Sequence, residues 1–311
     1  NVGAILIARS SKKLLKTKKW RINMEIIVGK TAGFCGGVTN AVKQTENLLQ
    51  EGKEIFCLGE LVHNAQVMEK LEKQGLNVIE NIEEAKPYDC VVIRAHGVPP
   101  IIYQKAKENQ IQLKDLTCPK VLKIHEKAEE YKQKGYYLFL MGAKKHPEVV
   151  GIFGFCGEDA CIIENKEDIP ISIQNCKNSK RKKIAIISQT TFSLKKFEEY
   201  TEEIKQSLNN TTILVDNTIC NATSTRQKET GELAKNVDAM IIIGGKNSSN
   251  TKKLYELAKE ECPIVQMIET EEDLELDTLQ KQKRIGIMAG ASTPRESIEN
   301  VIKELEAITV W

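Results

Sequence analysis

The chain has 311 residues, of which 41% are hydrophobic and 28% are charged, enough for two or three packed domains. Its formal net charge of +2 conceals an asymmetry, because residues 1–23 carry seven Lys and Arg and no Asp or Glu. The rest of the chain is therefore net acidic, which argues against nucleic-acid binding. No apolar run approaches the roughly 18 residues of a membrane span, so no membrane partner is predicted.

Residues 1–23 are predicted to be an N-terminal extension, disordered or non-native, since MEIIVGK at Met24 is typical of a natural start. Their apolar start and basic continuation leave a targeting peptide open as an alternative. The nine cysteines are an odd number and no convincing signal peptide precedes them. Three of them, Cys57, Cys90 and Cys262, adjoin apolar strand-like runs and are expected to be small buried residues. These features predict a reducing, cytoplasmic location.

Three segments place a cysteine between a short extended stretch and a helix-like run. They are KTAGFCGG, DLTCPK and DNTICNAT, around Cys35, Cys118 and Cys220. In chain order each is followed by a polar-faced helix and a continuously apolar strand: EIFCLG, YYLFLMG and DAMIIIGG. Strands that are apolar throughout are typical of parallel sheets covered on both faces.

The same register continues beyond these strands. A polar residue stands 28 positions after each cysteine, at His63, His146 and Ser248. A helix and a strand follow, ending in IENIEEA, IENKEDI and IETEEDL, and then a further apolar strand with a polar tip: VVIRAHG, IAIISQTT and IGIMAGAST. This agreement predicts a threefold repeat of α/β architecture with right-handed crossovers.

The predicted fold is therefore three pseudo-threefold-related α/β units with mainly parallel sheets around a central cluster cavity. By chain order they cover residues 24–118 with the N-terminal strand, 119–217, and 218–311 with a C-terminal tail. The third repeat lacks a final strand, so the N-terminal strand is expected to complete the symmetry begun at the C-terminus.

Equivalent loops beyond the strand ends are where α/β sheets bind ligands. If the three units face one axis, the three cysteines converge in a way that suits a metal cluster, although their spacings match no short ligand motif. The remaining tips carry hydroxyls, amides and three of the four histidines: His63, Asn64, His146, Glu148, Ser248, Ser249, Asn250, His96, Gln189, Thr190, Thr191, Ser292 and Thr293.

Two interpretations of these tips compete. Ser, Thr and Asn before helices commonly act as N-caps, and this remains the simpler explanation for Ser249 or Thr293 taken singly. Taken as sets, hydroxyls, an amide and imidazoles at helix N-termini predict a phosphate or diphosphate site. Beside such an anion Glu148 is expected to have a raised pKa and to donate a proton. The fourth histidine, His125, is expected to be solvated on a helix face.

No G-x-G-x-x-G or Walker A sequence occurs, so neither bound nicotinamide nor flavin is predicted. The motifs GFCGGV, LVHN, RAHGVP, TCP, HPEVVG, SQTT, NTICNATSTRQ, NSSNT and AGASTP, from Met24 to about Leu305, resemble the 4-hydroxy-3-methylbut-2-enyl diphosphate reductase family. Two small departures are Gly36, where alanine is common, and the GAKKHPE loop. Neither affects an expected ligand.

The resemblance implies an oxygen-sensitive [4Fe–4S] cluster on Cys35, Cys118 and Cys220, with an open fourth iron. It implies reductive dehydroxylation of an allylic diphosphate to isopentenyl and dimethylallyl diphosphates, the last step of the methylerythritol phosphate route. An external donor such as ferredoxin or flavodoxin would supply electrons. The implied catalytic residues are Glu148 and Thr190, and the implied substrate-binding residues are His63, His96, His146, Thr190, Ser248, Ser249, Asn250 and Ser292.

Two alternatives share part of this pattern. Another enzyme of threefold α/β build with a three-cysteine cluster, resembling quinolinate synthase, would share the repeat but would not need HPE and NSSN on equivalent loops. A phosphate-binding module stapled by a fully coordinated metal would have no turnover, and with zinc it would be colourless.

Overall fold

The computed structural model describes residues 24–208 and 211–309. The predicted extension at residues 1–23 lies outside the described residues. The first elements in chain order are β1 (Glu25–Val28), α1 (Gly36–Gln50), β2 (Ile55–Leu58), α2 (Ala65–Lys73), β3 (Leu76–Ile79), β4 (Cys90–Ile93), α3 (Pro100–Glu108) and β5 (Gln112–Asp115).

The next elements are α4 (Pro119–Gln133), β6 (Tyr137–Met141), α5 (Pro147–Cys156), β7 (Ala160–Ile163), α6 (Ile169–Asn178), β8 (Lys183–Ser188), α7 (Leu194–Ser207) and β9 (Thr212–Val215). The last are α8 (Asn221–Ala234), β10 (Ala239–Ile243), α9 (Ser249–Glu261), β11 (Val265–Ile268), α10 (Leu276–Leu279), β12 (Arg284–Ala289) and α11 (Arg295–Thr309).

The described strands form three four-stranded sheets, in which every pairing is parallel. Their orders are β3-β2-β4-β5, β7-β6-β8-β9 and β11-β10-β12-β1. The strand order is equivalent in the three sheets. The second strand of the unit lies at one edge, the first and third strands follow, and β5, β9 or β1 lies at the other edge. The predicted α/β class with three related units is confirmed.

The N-terminal strand belongs to the third sheet. Residues Glu25–Val28 pair in parallel with Arg284–Ile287 of β12, so β1 occupies the place that β5 and β9 occupy in the other sheets. The expectation that this strand completes the C-terminal unit is confirmed, whereas grouping it by chain order with residues 24–118 was wrong. The physical reason is the sheet edge: β12 has an unpaired edge that only a strand from elsewhere in the chain can cover.

Both faces of each sheet are covered by helices, as their apolar strands predict. In the second sheet, for example, Phe139 faces a cluster with α6 and α7, while its neighbour Leu140 faces a cluster with α4 and α5. The first and third sheets are each divided in the same way between two clusters. Three rigid sheets therefore hold their loops at fixed positions.

The three acidic segments IENIEEA, IENKEDI and IETEEDL continue from the ends of strands and form turns. Each forms a 3₁₀ turn closed by a capping box, with an N-cap Asn81, Asn165 or Thr270. The carboxylate three residues later accepts the N-cap backbone N–H, at 2.7 Å for Glu84. Because this reciprocal bonding satisfies groups that a helix end leaves free, the repeated acid is structural.

Each repeat cysteine marks the point where the chain crosses from one unit to the next. The Cys118 N–H donates to the Ala95 carbonyl of the first unit, and α4, which follows, packs on the second sheet. The Cys220 N–H donates to Thr190 of the second unit before α8 packs on the third sheet. The Cys35 N–H donates to Ala291 of the third unit before α1 packs on the first sheet.

The prediction for His125 was wrong. The residue is 3% exposed and its ring stacks on Phe155 of α5 with centroids 4.3 Å apart. Position 125 belongs to the inner face of α4, with Val121, Ile124 and Ala128. Burial lowers the pKa of His125 to about 4, so the ring is neutral at physiological pH.

All nine cysteines are free thiols, and Cys57 and Cys262 are buried as expected while Cys90 is half-buried. Among the described residues no helix combines the length and apolar character needed to cross a membrane.

Candidate functional site

A cavity of about 100 Å³ lies where loops of the three units meet. Every side chain to which the family resemblance assigned a role lines it: Cys35, Cys118, Cys220, His63, His96, His146, Glu148, Thr190, Ser248, Ser249, Asn250 and Ser292. Of the other polar tips, Thr191 lines it, whereas Asn64, Gln189 and Thr293 do not. Residues separated by more than 200 positions are thus neighbours, and the three units each contribute part of the wall.

The three cysteines occupy equivalent positions, each as the N-cap residue immediately before α1, α4 or α8, with no side-chain cap bond. A methyl group on Gly37 would lie 2.8 Å from the Cys118 sulfur and 4.0 Å from the Cys35 sulfur. Only glycine leaves this space between the two thiols free. The arrangement places the three thiols where helix dipoles favour negative charge.

Opposing effects act on the Cys118 thiol. Burial raises its pKa, whereas the backbone N–H groups of Lys120 and Val121 lower it, and the nearby Cys35 and Cys220 raise it. Cys35 and Cys220 raise the pKa of Cys118 because a thiolate at position 118 would lie close to two other sulfur atoms. Binding a cation or a cationic cluster would relieve this repulsion, as is general for cysteine metal ligands.

The three histidines form a compact group. The ring centroids of His63 and His96 lie 4.7 Å apart. The His146 centroid lies 5.5 Å from that of His63 and 5.3 Å from that of His96. Burial, with the neighbouring histidines and Arg94, lowers the pKa of His96 well below its usual value, and burial lowers that of His146 to about 3. The imidazoles of His96 and His146 are therefore neutral at physiological pH.

The tautomer of His146 follows from one contact. Its Nδ1 accepts a hydrogen bond of 3.2 Å from the Glu148 backbone N–H, so the proton is on Nε2. The Nε2 group is then a donor and not a metal ligand. Buried His63 Nε2 and His96 Nδ1 have no partner among the described protein atoms, which leaves them free for a ligand.

Glu148 and Thr190 form a buried pair across the cavity wall. The carboxylate is 2% exposed, and its two oxygens accept hydrogen bonds from the Thr190 N–H at 2.6 Å and from the Thr190 hydroxyl at 2.7 Å. Burial raises the pKa of Glu148 to about 7, although both bonds from Thr190 lower it. The raised pKa agrees with the expectation from sequence, but its main cause here is burial.

The third unit contributes hydroxyls and one amide. Ser248 caps α9, its hydroxyl accepting the Thr251 N–H at 3.3 Å, so the capping interpretation holds for this residue. Asn250 is different, because both polar atoms of its buried side chain lack a protein partner. An unsatisfied buried amide is costly unless a ligand or water completes it.

Close backbone contact fixes the third unit against the first. A methyl group on Gly245 would lie 2.5 Å from the His63 carbonyl oxygen. The loop before α9 can therefore approach the His63 loop only with glycine at this position.

Thr293, by contrast, is structural. Its hydroxyl donates to the carbonyl of Ile243 in β10 at 2.9 Å, a contact that differs from the N-cap of the simpler interpretation.

Sequence reasoning missed several cavity residues, chiefly Arg226. Its guanidinium is 3% exposed and donates to the carbonyls of Thr31 and Gly33, each at 2.7 Å. It thereby ties α8 to the loop that carries Cys35. Burial lowers the pKa of Arg226, and Cys35 and Cys220 oppose that effect. The available signal was its position on α8, six residues after Cys220.

Fold and cavity together define a class of protein: three parallel α/β units that share one cavity lined by cysteine thiols and neutral hydrogen-bonding groups. The profile of the LytB protein family matches residues 26–306. The chain therefore belongs to the LytB protein family.

Known proteins of this kind are similar over nearly the whole chain. The 4-hydroxy-3-methylbut-2-enyl diphosphate reductase of Clostridioides difficile (strain 630) is 40% identical over 284 residues, covering 91% of this chain and 99% of the relative. A solved (E)-4-hydroxy-3-methyl-but-2-enyl diphosphate reductase, the terminal enzyme of the non-mevalonate pathway, has 39% identity and a TM-score of 0.66, covering 91% of this chain and 99% of that one.

A second solved structure, the E-1-hydroxy-2-methyl-but-2-enyl-4-diphosphate reductase from Plasmodium falciparum, is 27% identical with a TM-score of 0.83. The match covers 90% of this chain and 87% of that one.

Proposed function

We propose that the chain is a 4-hydroxy-3-methylbut-2-enyl diphosphate reductase. It removes the hydroxyl group of (E)-4-hydroxy-3-methylbut-2-enyl diphosphate by breaking the C–O bond. Two electrons and two protons enter, one water leaves, and a new C–H bond gives isopentenyl or dimethylallyl diphosphate. The main support is the shared cavity, whose walls combine three thiols, a protonatable carboxyl group and unsatisfied polar groups.

Cys35, Cys118 and Cys220 are proposed to hold one [4Fe–4S] cluster whose fourth iron has no protein ligand. The fit rests on three helix N-termini that carry the thiols and on Gly37, whose lack of a side chain keeps the space between two sulfurs open. When bound, the cluster would supply the electrons and a Lewis-acidic iron for the hydroxyl group. Arg226 would offset part of the negative charge of the thiolates.

The diphosphate is proposed to bind the neutral polar groups of all three units. His63 and His96 come from the first unit and His146 from the second, while the third supplies Ser248, Ser249, Asn250 and Ser292. Neutral donors in a buried cavity bind an anion at lower desolvation cost than lysine or arginine would. Once the anion is bound, its charge raises the pKa of the imidazoles and favours their protonated form.

Glu148 is proposed to hold the proton that the leaving hydroxyl needs. Its pKa of about 7 means that about half of the molecules carry the proton near neutrality. The bonds from Thr190 fix the orientation of the carboxyl group, and the Thr190 hydroxyl is proposed to contact the substrate hydroxyl. Hydroxide is a poor leaving group, whereas a protonated hydroxyl leaves as water, so a positioned acid lowers the barrier.

An external donor such as ferredoxin or flavodoxin is proposed to supply the electrons, in the cytoplasm. The thiols would remain reduced there.

Anaerobic turnover tests the proposed function. Protein with reconstituted iron and sulfide is mixed with reduced methyl viologen and the hydroxylated diphosphate, and products are measured by mass spectrometry. We expect two viologen electrons per diphosphate product, and none with the Cys118→Ser variant. An iron–sulfur absorption spectrum without substrate-dependent viologen oxidation would favour a different cluster enzyme, and a colourless zinc protein would favour the binding module.

A further inference from the structure

The cysteine thiols can also be approached from the outer surface. Two surface pockets, of about 360 and 160 Å³, lie side by side and share Asn221. Cys35 lines the larger pocket and Cys220 the smaller one, and both cysteines also line the central cavity. At these two positions a single residue separates the outer surface from the cavity.

This surface carries unpaired positive charge. Lys30 lines the larger pocket, and Lys120 and Lys123 line the smaller one; all three are exposed. Within the described part of the chain none of these three ammonium groups forms an ion pair. Many other surface lysines are paired with a carboxylate. Lys30, Lys120 and Lys123 are not, so their ammonium groups can bind an acidic partner protein.

Two carboxylates close to this surface accept hydrogen bonds from it. Glu229 accepts the backbone N–H groups of Lys30 at 2.6 Å and of Thr31 at 2.9 Å. Asp216 accepts the Lys127 ammonium at 2.6 Å and the Tyr131 hydroxyl at 2.6 Å. Although burial acts the other way, the hydrogen bonds from Thr31 and Lys30 and the charge of Lys30 lower the pKa of Glu229. Lys30 is thus partly compensated, and Lys120 and Lys123 carry most of the unpaired charge.

Helix dipoles add further positive charge to this surface. The helices α1, α4 and α8 all begin at the cysteines, and none has an acidic residue in its first turn. Each N-terminus contributes roughly half a positive charge. No acidic side chain in these first turns offsets this charge, so the surface around the thiols is electropositive.

We propose that this thiol-side surface, defined by Lys30, Lys120, Lys123, Asn221 and Thr225, docks a small acidic iron–sulfur electron-carrier protein of the ferredoxin type. The proposal rests on the proposed function. Electron transfer between proteins weakens steeply with distance, so a carrier must reach the side where the thiols lie nearest the surface. Opposite charges steer such encounters, and redox partners use small, transient interfaces.

The electron balance requires two encounters for each substrate molecule. In each encounter the reduced carrier loses one electron and the cysteine-held centre gains one, with no proton passing at this surface. Protons enter separately, through Glu148 on the cavity side. The surface thus separates delivery of electrons from binding of substrate.

Charge substitutions in two helices test the docking surface. Lys123→Glu in α4 and Thr225→Glu in α8 each place an acid at the fifth residue of a helix, where the dipole tolerates it. The matched control is Lys86→Glu, an exposed lysine in the loop before β4, at the edge of the first sheet opposite Cys118. Oxidation of pre-reduced ferredoxin by anaerobic holoenzyme is followed by stopped-flow.

We expect the second-order rate constant to fall by about fivefold or more for each test variant at low ionic strength, and the difference to shrink at high salt. Turnover with reduced methyl viologen, a small cation that needs no docking surface, should stay at the wild-type value in all three variants. Carbodiimide cross-linking of ferredoxin carboxylates to wild-type holoenzyme should map to Lys30, Lys120 or Lys123 by mass spectrometry.

Three results would overturn the proposal. They are unchanged ferredoxin rates in both test variants, cross-links confined to other lysines, or binding of an acidic flavodoxin but not ferredoxin at this surface. Failure of the proposed function looks different. In that case the viologen assay gives no substrate-dependent turnover, whether or not the holoenzyme oxidises ferredoxin.

Discussion

At the scale of single residues, buried neutral groups rather than surface charges determine the chemistry of the cavity. The carboxyl group of Glu148 and the imidazoles of His96 and His146 all have pKa values displaced towards the neutral form, and burial is the largest cause for each. A site prepared in this way changes its charge when an anion arrives. Acid–base catalysis in the cavity depends on these displaced pKa values.

Replacing Glu148 by glutamine should reduce turnover by at least about 10²-fold, because general acid catalysis typically contributes 10²–10⁴-fold. Glutamine preserves shape and can still bond Thr190, so iron content and substrate affinity should persist. Anaerobic viologen assays and iron analysis measure both. The control is Glu158→Gln, an exposed glutamate, which should be neutral. A near wild-type rate for Glu148→Gln would show that another group provides the proton.

The pH dependence follows from the pKa of about 7 for Glu148. Because the protonated form is the active one, kcat/KM should be level below that pKa and fall about tenfold per pH unit above it. Methyl viologen is a suitable donor, since its reduction takes up no proton. The Glu148→Gln variant should lack this inflection. If the inflection survives in that variant, it belongs to a different group.

At the scale of secondary-structure elements, three helix starts and one edge strand decide whether the site forms. The amino ends of α1, α4 and α8 carry the thiols, and β1 holds the loop that leads to Cys35. These elements come from distant parts of the chain. Their contributions can be separated by substitution and by truncation.

Serine at Cys35, Cys118 or Cys220 should remove most bound iron and activity, because a hydroxyl is a poor replacement for a thiolate ligand. Cys156→Ser is the matched control. Burial raises the pKa of that thiol to about 12, and its sulfur donates to the Ile152 carbonyl at 3.4 Å. Iron and sulfide analysis of anaerobically purified variants measures the effect. Loss of iron in Cys156→Ser without loss of folding would contradict the threefold assignment.

Truncation should separate the N-terminal extension from the first strand. Starting the chain at Met24 should leave turnover within about twofold, or about 0.4 kcal/mol in the barrier. Starting it at Gly29 removes β1 and its pairing with β12, which should cost about 3 kcal/mol or more through lost backbone bonds and lost contacts of two half-buried isoleucines. Thermal denaturation and iron content compare the two. Equal stability would show that β1 is dispensable.

At the scale of the whole molecule, the three cysteines stand at the three crossings between units, and one cavity draws its wall from all of them. The diphosphate is proposed to contact residues of each unit. A ligand bound at such a junction gains most when the units approach one another. Closure of the molecule on the ligand is therefore expected from the geometry.

Small-angle scattering should show a smaller radius of gyration when holoenzyme binds an allylic diphosphate. Inorganic phosphate, which lacks the second phosphate and the allylic chain, is the control and should reduce the radius less. The closed state needs differential affinity, since a ligand shifts an equilibrium only by binding one state more tightly. An unchanged radius with saturating diphosphate would instead indicate a preformed cavity.

The repeated pattern in the sequence was sufficient to predict the fold class and to select the residues that line the cavity. The apolar strands and the constant offset from each cysteine carry that information, because a repeat forces equivalent loops to equivalent places. Local patterns were insufficient for His125, since a polar residue on a largely polar helix does not reveal that α5 will cover it. They were also insufficient for Arg226, whose partners lie almost 200 residues away in sequence.

The sequence by itself determined the repeat, the parallel α/β units and the equivalence of Cys35, Cys118 and Cys220, because these depend on periodicity and local order. Only the tertiary structure decided the burial that raises the pKa of Glu148, the contact of Arg226 with the Cys35 loop, and the exposure of the cysteines to a basic outer surface. These properties depend on which surfaces meet when distant elements pack. Packing is set by shape and burial over the whole molecule, and no short stretch of sequence contains it.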